Sequence, residues 1–225
     1  ANLILKAAAT ISTLSLPDTH NSLRLSTYPS NMISRLLVDF YKEWGTQFHI
    51  EYHEGSVEEI TDHVHQGISE IGIVYVALKQ VQTFQHILSH KNLEFVPLDV
   101  KKICVYVGPS HPLYHTESID FEDLSNLKFM RGVRDFFSME HHLERVSMGV
   151  IDNEKLHHVV YTNSDHLIID LLLHSDVCSL GLDFMHEPYT QYAIKSLPIN
   201  GCEPFLQMGY VFNPERALSA HARWV

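Results

Sequence analysis

The stretch Thr27-Tyr28-Pro29-Ser30-Asn31 sets hydroxyls, an amide and a proline directly before a periodic apolar run. In that run Met32, Leu36, Phe40 and Trp44 recur every fourth residue, with Ile33, Leu37 and Tyr41 beside them. This spacing predicts an amphipathic helix of about four turns. A proline near the start suits such a helix, because its missing N–H costs nothing there. The first turn leaves backbone N–H groups unpaired and carries partial positive charge. A hydroxyl-lined turn feeding it is therefore a candidate pocket for an anionic small molecule. Ser30 also has a plainer reading, as a helix cap. A second hydroxyl stands in Ser56-Val57-Glu58-Glu59, the S-x-x-E pattern of a capping box.

Other reactive residue types are present without the spacing their chemistry needs. His141-His142 and His157-His158 are adjacent, and adjacent residues do not share a helix or strand face. His63 and His65 fail for the same reason on a helix, so no metal ligand set is expected. The three cysteines, Cys104, Cys178 and Cys202, are far apart and odd in number, with no metal or disulfide framework. That usage fits a reducing cytosol. Neither Cys104 nor Cys178 has a basic residue directly beside it to lower its pKa. Carboxylates such as Asp39 and Glu43 show no paired arrangement for acid–base work. No G-x-S-x-G or phosphate-loop glycine pattern occurs. No enzyme activity and no cofactor is expected.

Composition narrows the classes further. The 225 residues suffice for one large domain or two small ones. A hydrophobic content of 45% supports a substantial core. Sixteen Lys and Arg against 27 Asp and Glu give a net charge of −11, which argues against this segment gripping nucleic-acid phosphates itself. Seventeen histidines mean that this charge falls in magnitude below neutral pH. No run approaches membrane-spanning length. The start, 1–9, is apolar but contains Lys6 and lacks the form of a signal peptide.

The elements that position these residues follow in order. Residues 3–16 read as a short helix ended by Pro17, and 17–22 as a polar linker. Residues 23–26 are a strand, and 32–44 the helix already described, stopped by Gly45. Alternation over 47–53 predicts a strand. The capping box opens a helix whose buried face is Val57, Ile60 and Val64, and Gly67 ends it. Residues 71–77 are nearly all apolar, as in a parallel strand covered on both faces. This is β-α-β-α-β, an open α/β sheet with right-handed crossovers. Strands at 95–98 and 103–107 flank Asp99 to Lys102, followed by a rigid loop at 108–113 and a helical turn at 119–124. A second alternating set follows: strand 128–130, loop 131–135, helix 136–148, strand 157–161, a helix carrying Leu167, Ile168, Leu171 and Leu172, and strand 177–180. Strands at 192–197 and 205–212 precede a helix beginning at Pro214.

This order of motifs resembles the effector-binding domain of LysR-type transcriptional regulators over about residues 20–225. The resemblance rests on Leu23-Arg24-Leu25-Ser26, Glu54-Gly55-Ser56, Glu70-Ile71-Gly72-Ile73, the His-Pro-Leu at 111–113 and the Asp-Leu of Phe121-Glu122-Asp123-Leu124. The chain departs at His174-Ser175-Asp176-Val177, where the family usually has two glycines.

The resemblance implies an α/β fold of two Rossmann-like subdomains joined by two crossover strands, like type 2 periplasmic binding proteins. Residues 1–19 would be the remnant of a linker helix and linker. Residues 20–98 with 203–225 would form subdomain I, and 99–202 subdomain II. The effector would lie in the cleft between them, at turns where strands end and helices begin, as open α/β sheets bind ligands. By position the first turn contributes Thr27, Ser30 and Asn31, and the second Gly55 and Ser56. The other subdomain contributes Arg131, Phe137 and Ser138 from the 131–138 loop, and Asn163 and Ser164. Arg131 or Arg134 could make a bidentate contact to an anion. Each has a plainer alternative: Ser56 and Ser164 as caps, the arginines as surface residues, Phe137 as core. The implied partners are a small-molecule effector and a second copy in a homodimer or tetramer. The helix 32–44 of one copy would meet 136–148 of the other, with Tyr41 and Trp44 partly in the contact. DNA would be met only through an N-terminal helix-turn-helix absent here, in the bacterial cytoplasm and without a membrane. The alternative is a solute-binding protein of a transport system; an enzyme on a similar two-lobed fold lacks a supporting residue array.

Overall fold

The computed structural model describes residues 22–29, 31–45, 49–131, 137, 142–151, 156–182, 192–219 and 222, with the backbone alone at 31, 32, 44 and 145. The helix expected over 3–16, and Ser30, Arg134, Ser138 and His141, lie outside them. The strands are β1 (Ser22–Thr27), β2 (His49–Glu54), β3 (Ile71–Ala77), β4 (Glu94–Lys101), β5 (Ile103–Val107), β6 (Lys128–Arg131), β7 (His157–Tyr161), β8 (Val177–Leu182), β9 (Lys195–Pro198) and β10 (Leu206–Phe212). The helices are α1 (Asn31–Trp44), α2 (Val57–Gln66), α3 (Val81–Ser89), α4 (Leu143–Val146) and α5 (Asp165–His174), with 3-10 turns at Leu78–Gln80 and Phe121–Asn126. The chain divides into two compact units, Ala1–Val100 with Gln207–Val225, and Lys101–Leu206.

The first unit is built on a five-stranded sheet in the order β2-β1-β3-β10-β4. β1 pairs parallel with β2, Thr27 opposite Glu54, and parallel with β3, Leu25 opposite Ile71. Every residue of β3 is buried, as its unbroken apolar run requires. α1 buries Ile33, Leu37 and Phe40, while Leu36 is half-buried and Tyr41 exposed. The buried face thus follows i, i+4, i+7. A strict every-fourth line drifts about 40° per step around a 3.6-residue helix and leaves the face. α2 opens on the expected capping box: the Ser56 hydroxyl accepts from Glu59 N at 3.2 Å, and Ser56 N donates to Glu59 Oε2 at 2.8 Å. It closes on Gly67 at φ +78°, the left-handed position that favours glycine. Two arginines satisfy carbonyls there: Arg216 Nη1 donates to Val64 O at 3.1 Å and Arg24 Nη1 to Gly67 O at 2.8 Å.

α3 had no counterpart in the sequence reading. It buries Phe84 and Leu88, and Phe84 meets Phe95 edge-on at 5.4 Å. Gln80, before it, makes no side-chain cap bond, so the local start signal is missing. The helix expected from Pro214 is not formed over 214–219. Instead Asn213 accepts from Glu215 N at 2.9 Å and from Arg216 N at 3.2 Å, closing a turn around Pro214.

The second unit carries the sheet β7-β6-β8-β5-β9. β6 is parallel to β7 and β8, whereas β5 runs antiparallel to β8 and β9. β5 is buried throughout. α5 packs Leu172, with Ile168 and Leu171, on Cys104, Tyr106, Met130 and Val177. This approach is close at Gly108, where an added Cβ would lie 1.7 Å from Leu172 O. Of the helix expected over 136–148, the described part ends at Val146, and residues 147–149 turn. The Ser147 hydroxyl accepts from Ile151 N at 2.9 Å and holds that turn. The strand expected from 192 begins at Lys195.

Candidate functional site

In the first unit the expected residues gather where the parallel strands end. Thr27 closes β1, is fully buried, and donates from Oγ1 to Tyr28 O at 2.7 Å. Tyr28 N donates to Ile73 O at 3.1 Å, and Gly55 N to Thr27 O at 3.1 Å. These two bonds stitch the turn after β1 to β3 and to the turn after β2. Tyr28 also packs edge-on against Tyr75, ring centroids 6.3 Å apart. Thr27, the start of α1 at Asn31, Gly55 and Ser56 therefore sit at one end of one sheet.

The two helix starts at this end differ electrostatically. The first turn of α2 carries Glu58 and Glu59, and Glu59 is already bonded to Ser56. That carboxylate takes up the Ser56 N–H and adds negative charge at this helix start, and an added Cβ at Gly55 would meet Glu59 Oε2 at 2.9 Å. The first turn of α1 carries no acidic residue. Of the two starts, α1 is the better suited to negative charge.

In the second unit Arg131 closes β6 opposite Tyr161 of β7, and its carbonyl accepts from Thr162 N at 3.0 Å. The exposed Asn163 follows, and then Ser164, which caps α5 by accepting from Leu167 N at 3.3 Å. Ser164 N in turn donates to Thr162 Oγ1 at 3.0 Å. Arg131, Asn163 and Ser164 thus share the carboxyl ends of β6 and β7. Phe137 is 5% exposed and sits in a turn. Tyr28 and Thr162 were not singled out from sequence; each lies inside a turn that was, and its hydrogen bonds shape that turn.

The remaining candidates are structural. His157 is exposed and His158 half-buried, in keeping with strand alternation. His63 Nδ1 lies 2.9 Å from Ser26 Oγ, which meets Ser69 Oγ at 2.6 Å in a buried polar chain. No cluster of three or more His, Cys, Asp or Glu suited to a metal ion occurs among the described residues. All three cysteines are buried. Burial pushes the Cys178 thiol far above its ordinary range, and Cys178 Sγ donates to Lys128 O. His111 is buried in its His-Pro-Leu turn, with Nδ1 accepting from Leu113 N at 3.1 Å; burial lowers its pKa and the Asp176 charge opposes that. Among the described residues no helix is long and apolar enough to cross a membrane.

Residues 19–225 match the model of the LysR substrate binding domain. Comparison with curated proteins by sequence gave no match. Among solved structures, the chain resembles the effector-binding domain of QuiR in complex with shikimate, at 17% identity and a TM-score of 0.62 over 92% of this chain and 94% of that one. It also resembles the regulatory domain of CcmR from Synechocystis PCC6803 in complex with 2-PG, at 16% identity and TM-score 0.61 over 90% and 92%. Full-length CbnR complexed with its target DNA matches at 13% identity and TM-score 0.60 over 97% of this chain and 70% of that one. At these identities the likeness establishes the fold.

Proposed function

This chain belongs to the LysR substrate-binding-domain family, a regulatory and non-enzymatic family, and from that premise we propose that the small ligand it senses is an anionic metabolite held where strands end and helices begin. In this reading subdomain I is residues 20–98 with 203–225, subdomain II is 99–202, and the effector lies in the cleft between them. Thr27, Ser30, Asn31, Gly55 and Ser56 contribute from the first, and Arg131, Phe137, Ser138, Asn163 and Ser164 from the second. The observation that carries it is the α1 start. The turn that leads into it is joined by the Gly55–Thr27 hydrogen bond to the turn after β2, at the carboxyl ends of the parallel strands β1 and β2, and its own first turn carries no acidic residue. Arg131, at the corresponding strand end of the other unit, supplies a fixed positive charge for the same anion. That relatives were solved with shikimate and with 2-PG supports a small polar ligand.

The effector acts by favouring one arrangement of the protein over another, to the extent that it binds one more tightly. In this reading DNA is contacted through a separate N-terminal domain in the bacterial cytoplasm; that full-length CbnR was solved with its target DNA supports DNA as a partner. Two or four copies assemble through α1 of one and the 136–148 segment of another. Val38 and Tyr41 on α1 are 53% and 50% exposed, consistent with such a contact. The Trp44 side chain lies outside the described residues.

A thermal-shift screen of small carboxylates, shikimate included, tests the ligand. A binder raises the melting temperature, and Arg131→Gln lowers its affinity about 10- to 100-fold, the worth of a lost charge-assisted hydrogen bond. A binder whose affinity is unmoved by Arg131→Gln and Thr27→Val would refute the placement.

A further inference from the structure

α3 ends on two histidines four residues apart, His86 and the C-cap His90. Positions i and i+4 lie one above the other on a helix face. Their Nε2 atoms are 3.4 Å apart, with ring centroids at 4.8 Å and planes at 81°. Both side chains are exposed, while Phe84 and Leu88 hold the opposite face of α3 in the core.

Two imidazole nitrogens converging from i and i+4 are the helical arrangement that chelates a transition ion. With metal–nitrogen bonds of ~2.0–2.1 Å, a 3.4 Å separation subtends about 110° at an ion placed between them, close to the tetrahedral angle. The backbone around the pair is also tied down. Lys91, next to His90, accepts on its carbonyl from His65 Nδ1 at 2.8 Å, and its Nζ meets Asp62 Oδ1 at 2.6 Å. The Asp62 partner moderates the positive charge of Lys91. The Ser89 hydroxyl donates to His86 O at 2.7 Å. Ligands fixed in advance by surrounding contacts cost less to organise on binding.

We propose that His86 and His90 form a two-imidazole site for a divalent transition ion of the copper, nickel and zinc class, with water in the remaining coordination positions. Each ring binds through its Nε2 lone pair with its proton on Nδ1, and the ring that donates the Nε2–Nε2 hydrogen bond first moves that proton to Nδ1 by exchange with water. The direct Nε2–Nε2 hydrogen bond is exchanged for two metal bonds. Protons compete for the same lone pairs, so binding weakens as the solution is made more acidic. Copper(II) binds more tightly than nickel(II) or zinc(II), following the general order of affinities for nitrogen ligands.

The test uses the whole chain, freed of metal, titrated at pH 7.5 with copper(II), nickel(II) or zinc(II) chloride by calorimetry. Electron paramagnetic resonance of the copper form reads the coordinated nitrogens. The tightest copper site should show two imidazole nitrogens and weaken at least tenfold in His86→Gln and in His90→Gln. His166→Gln, an exposed histidine on α5, should change nothing. Both substituted residues of the pair are exposed, and unchanged melting temperatures in the absence of metal verify folding. The proposal is overturned if the wild-type chain binds none of the three ions. It is equally overturned if both folded variants of the pair bind copper as the wild type does, or if His166→Gln removes the tightest site.

Discussion

Ser56 shows how much one side chain can commit. Its hydroxyl and backbone N–H are both taken up by Glu59, so it primarily serves α2. Ser56→Ala should cost about 1 kcal/mol in urea unfolding, the usual worth of an N-cap. Glu59→Gln, which keeps a neutral acceptor for Ser56 N, should cost less. His111 gives the chain a pH response. Burial lowers its pKa below 6.5, so the folded chain prefers the neutral ring while the unfolded chain takes up a proton near that pH. The stabilising contribution is whole above pH 6.5 and drains as pH falls through that value toward the lower folded pKa. Asp176 stays ionised across this window, its pKa lowered chiefly by the hydrogen bond from Lys128 at 2.6 Å, and softens the effect. His111→Asn should therefore lose less stability than the wild type between pH 7.5 and 5.5. Equal losses of stability in the wild type and the variant, measured by urea unfolding at the two pH values, would contradict this assignment.

At the scale of elements, legibility followed the range of the forces involved. The α2 capping box and its Gly67 stop are written within a dozen residues, and both formed as read. β3 was legible because an unbroken apolar run has few other fates. α3 was not, because its start lacks a side-chain cap and its apolar residues, Phe84 and Leu88, are few. The antiparallel placement of β5 was also hidden, since its partners β8 and β9 lie far away in sequence. The Pro214 segment misled because a proline after an asparagine opens a turn as readily as a helix. The end of α2 offers a sharp test of element-level packing. An alanine at Gly67 would adopt φ +78° and bring its Cβ within 2.5 Å of Arg216 Nη1. Gly67→Ala should destabilise the chain by about 1–2 kcal/mol, measured by urea unfolding. A neutral result would mean that this end relaxes freely.

For the molecule as a whole, each of the two α/β units has its own sheet, and in each the candidate residues were legible as a strand end meeting a helix start. What sequence could not supply was the backbone pairing that ties the turns together, because the Gly55–Thr27 and Tyr28–Ile73 hydrogen bonds cross between strands far apart in the chain. A ligand that binds only the folded chain adds about 2.7 kcal/mol at a concentration 100 times its Kd, so the best carboxylate from a screen should raise the melting temperature in proportion to the logarithm of its concentration. The most direct measurement is then a backbone-amide NMR titration of the chain with that carboxylate. The largest shifts should fall at Thr27, Asn31, Gly55 and Ser56 in the first unit, together with Arg131, Asn163 and Ser164 in the second, all saturating with one Kd. Shifts confined to other residues, or to one unit alone, would contradict this placement.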